Sequence, residues 1–119
     1  MQPFITGSRA YGTPKEESDI DIVLLVESDV IQELQEMCDQ PDDFETYLGI
    51  DTGGDITTSI RFGKLNMILH TRPEKYNAWK EATDELIQRK PVARDEAVKC
   101  IQGHLSQIKL AGTEAINQH

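Results

Sequence analysis

The chain has 119 residues, 38% apolar and 28% charged, the composition of one soluble globular domain and too short for two. Its net charge of −9 argues against a broad electrostatic grip on DNA or RNA, where basic side chains must neutralise phosphates. No apolar run approaches the roughly 20 residues that span a bilayer, and Met1-Gln2-Pro3-Phe4 is not the basic start of a signal peptide. Cys38 and Cys100 are far apart and match no metal spacing, so a reduced, cytoplasmic protein is expected. A small anionic ligand stays compatible with this charge, because a few basic groups and bound divalent cations can reverse the field at one site.

Phe4-Ile5-Thr6 is a short strand that stops at Gly7-Ser8. Ser8 is placed to cap one helical turn through Tyr11, with Gly12 ending it in a left-handed conformation. Thr13 to Glu17 contains Pro14 and reads as a loop. Ser18 to Val26 carries the strongest strand signal, alternating at first and continuously apolar afterwards, as expected of a central strand with a polar mouth. Val30 to Asp39 has helical spacing, with Val30, Ile31, Leu34, Met37 and Cys38 on one face. The acidic stretch from Asp39 to Gly54 reads as loop, with a short element around Phe44 to Leu48.

Ile56 to Phe62 and Leu65 to Thr71 form two strands joined at Gly63-Lys64. Thr71-Arg72-Pro73-Glu74 fits a capping box opening a helix that carries Tyr76, Trp79, Leu86 and Ile87. After Pro91 a last helix sets Val98, Ile101, Leu105 and Ile108 on one stripe and ends at Gly112. The expected organisation is a single domain over 1–112 with a flexible tail over 113–119. The expected fold class is α/β (α+β), a small mixed β-sheet backed by helices on one side.

One constellation carries chemistry: Gly7-Ser8, ten residues, then Asp19-x-Asp21. Glycine after a strand lets backbone approach a phosphate, and a serine at a helix start adds a hydroxyl to free N–H donors. Residues i and i+2 of a strand share a face, so Asp19 and Asp21 present two carboxylates together. Hard cations such as Mg²⁺ take oxygen ligands and share them with nucleotide phosphates. A lone Asp-x-Asp or Gly-Ser is weak; the two in this order and spacing are specific.

Phe4-Ile5-Thr6-Gly7-Ser8-Arg9-Ala10-Tyr11-Gly12, followed by Ser18-Asp19-Ile20-Asp21-Ile22, resembles the signature of the DNA polymerase β-like nucleotidyltransferases. It is most similar to the minimal ones, which include antitoxins that act beside HEPN toxins. The resemblance is sharp over residues 4 to 26 and topological beyond. It implies that Gly7 and Ser8 hold nucleotide phosphates and that Asp19 and Asp21 bind Mg²⁺ (or Mn²⁺). The implied reaction moves a nucleoside monophosphate from a triphosphate to a hydroxyl on a protein or small molecule. Two departures stand out. Where the family carries a third acidic residue this chain has Asn66, whose neutral amide is no general base; Asp51 or Asp55 is the available substitute. The chain also opens almost directly on the first strand, which implies a less covered sheet or a partner.

Around this core the candidate phosphate-binding residues are Arg9, Lys15 and Ser18 before the second strand, and Arg61 and Lys64 beside the hairpin turn. Tyr11 could stack on a base, though packing beneath the loop is the expectation. Tyr76 and Trp79 read as core, and His70 as an edge histidine on the Asn66 face; His104 and His119 carry no signal. The competing function is a nucleotide-binding or interaction module, antitoxin-like, that kept the fold and lost turnover.

Overall fold

The structure, a computed structural model, describes residues 2–37, 42–43 and 57–117. The strands are β1 (Phe4–Thr6), β2 (Ile20–Leu25), β3 (Asp42–Asp43), β4 (Thr57–Phe62) and β5 (Leu65–His70). The helices are α1 (Ser8–Tyr11), α2 (Ser28–Met37), α3 (Pro73–Gln88) and α4 (Arg94–Asn117). The sheet runs β1-β2-β5-β4-β3, with β2 and β5 parallel and the other neighbours antiparallel. This is the mixed sheet expected from the sequence.

The pleat divides the core in two. Val23 of β2 and Ile68 of β5 pack with Tyr11 of α1, with Tyr76, Trp79, Ala82 and Leu86 of α3, and with Ala97, Ile101 and Leu105 of α4. Leu24 and Leu69, one residue along each strand, point the other way and meet Ile31 of α2 and Ile60 of β4. Helices therefore cover both faces, not one. The sequence periodicity identifies an apolar stripe but not the side of the sheet it will cover.

Other differences are local. The strand expected over 18–26 spans 20–25, so Asp19 precedes the ladder rather than sitting in it. The second helix starts at Ser28; Ile31 is buried, whereas Val30 and Met37 are exposed. Cys38 and the element expected at 44–48 lie outside the described residues, and Asp42–Asp43, expected as loop, pairs with β4. The capping box does not form: Arg72 is the N-cap of α3 without a side-chain cap, and it pairs with Glu74 at 3.5 Å. Pro73 opens the helix as expected. The last helix continues past Gly112 to Asn117.

Side-chain contacts pin the short first strand. Thr6 and Thr83 hydroxyls meet at 2.8 Å in the core, the Phe4 and Tyr76 rings pack edge to face at 5.3 Å, and the Tyr76 hydroxyl donates to the Gln2 carbonyl. His70 is fully buried, its ring 5.3 Å from that of Trp79. It shares the face of Asn66, as alternation requires, but α3 covers it.

Burial, helped by the charge of Lys75, lowers the His70 pKa to about 3 from an ordinary 6.5. Between those values the unfolded chain binds one more proton than the folded one. Stability should therefore fall by about 1.4 kcal/mol per pH unit as pH drops below about 6.5. Urea unfolding of the wild type and of His70→Gln between pH 7 and 4 checks this, the variant losing that component of the slope.

Candidate active site

Strand register assembles the site. Thr6 of β1 stands opposite Asp21 of β2, Asp21 opposite Asn66 of β5, and Asn66 opposite Arg61 of β4. These four residues form a lateral row, and directly paired residues share a face of the pleat. Thr6 turns inward to Thr83 of α3, so the row faces the α3 and α4 side.

Gly7 follows at the end of β1 with φ +73° and ψ −160°, a conformation essentially reserved for glycine. A Cβ built on it would lie 2.1 Å from Oδ2 of Asp21. The carboxylate thus fills the space a methyl would need. Gly7, rather than Gly12, carries the positive φ; Gly12 is extended and lies close over Ser8, where a Cβ would come within 2.9 Å of the Ser8 Cα. Ser8 opens α1 and Gly7 is its N-cap, accepting the Ala10 and Tyr11 amides at 3.0 and 3.2 Å, with no side-chain cap.

Asn66 is 2% exposed and fully engaged. Its amide nitrogen donates to Asp21 Oδ1 at 3.1 Å, and its oxygen accepts from the Ser59 hydroxyl at 2.5 Å. An ionised carboxylate only accepts, so the NH₂ must face Asp21 and the amide oxygen must face away. Asn66 therefore sits in the row as a donor, not as an oxygen ligand. Burial pushes the Asp21 pKa up; the Asn66 hydrogen bond opposes this, the Asp19 charge adds to it, and Arg61 and Arg94 oppose it. Asp19 pairs with Arg61 at 3.1 Å, both partly exposed.

A cavity of about 470 Å³ opens on this row. Gly7, Ser8, Ser18, Asp19, Asp21 and Asn66 line its polar end. Its apolar wall comes from Tyr11, Ile68 and Trp79 and from Val92, Ala97, Val98 and Ile101, with Arg94 at the first turn of α4. The Val92 amide donates to the Tyr11 carbonyl at 2.8 Å, which fastens this wall to α1. Tyr11 packs as expected; burial raises its pKa and keeps the phenol neutral.

Arg9 and Lys64, two of the other expected phosphate-binding cations, are engaged elsewhere. The Arg9 guanidinium donates to the Ser18, Glu16 and Lys15 carbonyls at 2.9 to 3.4 Å, and Lys64 Nζ donates to the Glu16 carbonyl at 3.1 Å. Both hold the loop before β2 in place. The Lys15 side chain is exposed and outside the cavity lining, while its amide bonds Ser18 Oγ at 2.8 Å. Asp51 and Asp55 lie outside the described residues. Among the described residues, no third carboxylate clusters with Asp19 and Asp21. Sequence reading missed Arg94; its only signal was a cation opening an amphipathic helix, and that does not say what the helix end faces.

Two carboxylates crowded at a half-buried site, one of them resisting ionisation, are a donor set that a hard divalent cation fits. The same crowding costs stability when no cation is bound.

Gly7→Ala should destabilise the fold by about 1–3 kcal/mol through backbone strain, with a further penalty from displacing Asp21. In Gly7→Ala/Asp21→Ala the second part disappears, so a thermodynamic cycle by urea unfolding should be clearly non-additive. Asp21→Asn keeps the acceptor for Asn66 and removes the buried charge. In metal-free buffer it should raise Tm at neutral pH. A raised folded pKa favours folding only while the group is protonated, so this gain should shrink as pH falls through the carboxylate range.

The nucleotidyltransferase domain family matches residues 3–91 of this chain. No curated relative and no solved structure matches it. The matched segment holds the Gly7-Ser8 bend, Asp19, Asp21 and Asn66, and it covers most of the sequence. The chain belongs to the nucleotidyltransferase domain family, within the polymerase β-like superfamily.

Proposed function

We propose that this chain binds a nucleoside triphosphate together with Mg²⁺ or Mn²⁺ and slowly transfers its nucleoside monophosphate to a hydroxyl on a protein or small molecule. The observation that carries the reading is the Asp21 carboxylate against Gly7 in the lining of the cavity. It supports the reading because a carboxylate able to ligate a cation and a bend suited to phosphate border the same space. Asp19 and Asp21 are the residues that would hold the cation. A bound cation would neutralise charge on the phosphoryl oxygens as the bond to the leaving pyrophosphate breaks.

The remaining roles follow from position. The amide end of Gly7-Ser8 receives phosphate, as glycine-rich helix starts do. Arg94 shares the cavity with both aspartates and is the cation best placed for the triphosphate. Arg61 pairs with Asp19 and orients its carboxylate. The apolar wall from Ile68 to Ile101 suits the flat faces of a base. An acidic surface favours a compact acceptor over a long nucleic acid.

Asn66 sets the speed. General-base help is worth about 10²–10⁴-fold, and an amide supplies none. The same observation favours a second reading, a nucleotide-binding module without turnover that works through a partner such as a toxin. The hydrogen bonds from Ser59 and to Asp21 hold Asn66 as a neutral spacer in the row, which keeps Asp21 in place without a third charge.

The test is label transfer from each α-phosphate-labelled triphosphate, with Mg²⁺ or Mn²⁺ and candidate acceptors, beside metal-dependent nucleotide binding by calorimetry. Slow transfer abolished in Asp19→Asn/Asp21→Asn supports the enzyme. Binding without transfer supports the module, and no binding overturns both. Asn66→Asp should raise transfer about 100-fold or more. It should also lower Tm in chelator, because it adds a buried carboxylate beside Asp21, and Mg²⁺ should recover much of that loss.

A further inference from the structure

Away from the cavity, α3 and α4 bring together a second group of side chains. Glu81 and Glu85 lie four residues apart on α3, and Cys100 and His104 four apart on α4, so each pair shares a helix face. His104 Nε2 is 2.9 Å from Glu85 Oε2, and His104 Nδ1 is 3.8 Å from Glu81 Oε2. Single ligand atoms of Glu85, Cys100 and His104 all lie within 4.8 Å of one another. Cys100 is a free thiol, half-buried like His104, while Glu85 is exposed, so the group is reachable from solvent.

We propose that Glu85, Cys100 and His104 form a site for a borderline-soft divalent cation of the zinc type, bridging α3 and α4, with Glu81 positioning His104. The donor chemistry selects the ion. One sulfur, one imidazole nitrogen and one carboxylate oxygen are the ligands zinc takes, with a fourth position for water. Mg²⁺ and Ca²⁺ prefer oxygen throughout, so this site and the Asp19/Asp21 pair sort different metals.

Geometry agrees. Bonds of about 2.0–2.3 Å around a tetrahedral ion put ligand atoms ~3.3–3.7 Å apart. The ligand atoms of Glu85, Cys100 and His104 already lie within 4.8 Å of one another, near that spacing. A carboxylate on the far nitrogen of a ligating histidine fixes its tautomer and orientation, and Glu81 faces Nδ1 while Glu85 faces Nε2. Burial and the negative charge of Glu85 hold the proton on Cys100, with Arg89 opposing the Glu85 charge. A cation reverses that field, and coordination releases the thiol proton to solvent.

The proposal stands independently of the nucleotide reading, and its test is run with the hard site removed. Full-length Asp19→Asn/Asp21→Asn is titrated with Co²⁺ and then Zn²⁺. The expected result is one equivalent of Co²⁺ with a thiolate-to-cobalt charge-transfer band and tetrahedral d–d absorption, both bleached by Zn²⁺. Cys38→Ser in that background should keep the band. Cys100→Ser should lose it, and His104→Gln should weaken Zn²⁺ about 100-fold or more, with unchanged circular dichroism in chelator. Glu81→Gln should keep the band and weaken affinity ~10-fold. Absence of a thiolate band in the parent, or Zn²⁺ affinity untouched by Cys100→Ser and His104→Gln, would overturn the proposal.

Discussion

The structure turns on a carboxylate lying where a methyl group would otherwise be. Asp21 Oδ2 sits so close to the Gly7 Cα that no side chain fits at position 7, and the backbone there adopts an angle pair that disfavours one anyway. Two independent constraints therefore select glycine at the same position. Their joint effect is to hold the Gly7-Ser8 bend and the Asp21 carboxylate face to face in the folded chain. Ligand sites gain affinity from that kind of preorganisation, because ordering cost is met during folding.

Keeping Asp21 there requires support from every side. The Thr6–Thr83 contact anchors β1 to α3, Val92 anchors the cavity wall to α1, and Arg9 with Lys64 ties down the loop ahead of Asp19. Arg9 and Lys64, two of the cations that the sequence offered for phosphate, are thus used to build the frame. Arg9 and Lys64 show why charge near a motif is a poor guide. Backbone carbonyls of a tight loop compete for the same guanidinium and ammonium donors, and the winner depends on distances that no local pattern encodes.

The local parts of the fold were legible. Alternation in Ile20 to Leu25 and in the hairpin gave strands close to their observed ends, and Gly7-Ser8 and Asp19-x-Asp21, singled out by their spacing, line one cavity. What escaped depends on distant partners. Arg72 pairs with Glu74 where a capping box was expected, α2 covers the opposite face of the sheet, and Arg94 reaches the cavity from a helix that starts after the family match ends. The cluster on α3 and α4 escaped for the same reason. Cys100 and His104 share a face only once a helix is assumed, and Glu81 and Glu85 meet them only across a helix pair.

Asn66 separates positioning from chemistry in this family member. A carboxylate at that point of the row would stand beside Asp21 and opposite Arg61, buried and repelled by its neighbour unless a cation lay between them. The amide removes that repulsion. It turns a donor toward Asp21 and an acceptor toward Ser59, so a buried polar group finds partners on both sides. The row can then hold its shape without metal, which a three-carboxylate version would do at greater cost. The row stays assembled through these neutral hydrogen bonds, and an amide at this point cannot draw a proton from a hydroxyl as a carboxylate could.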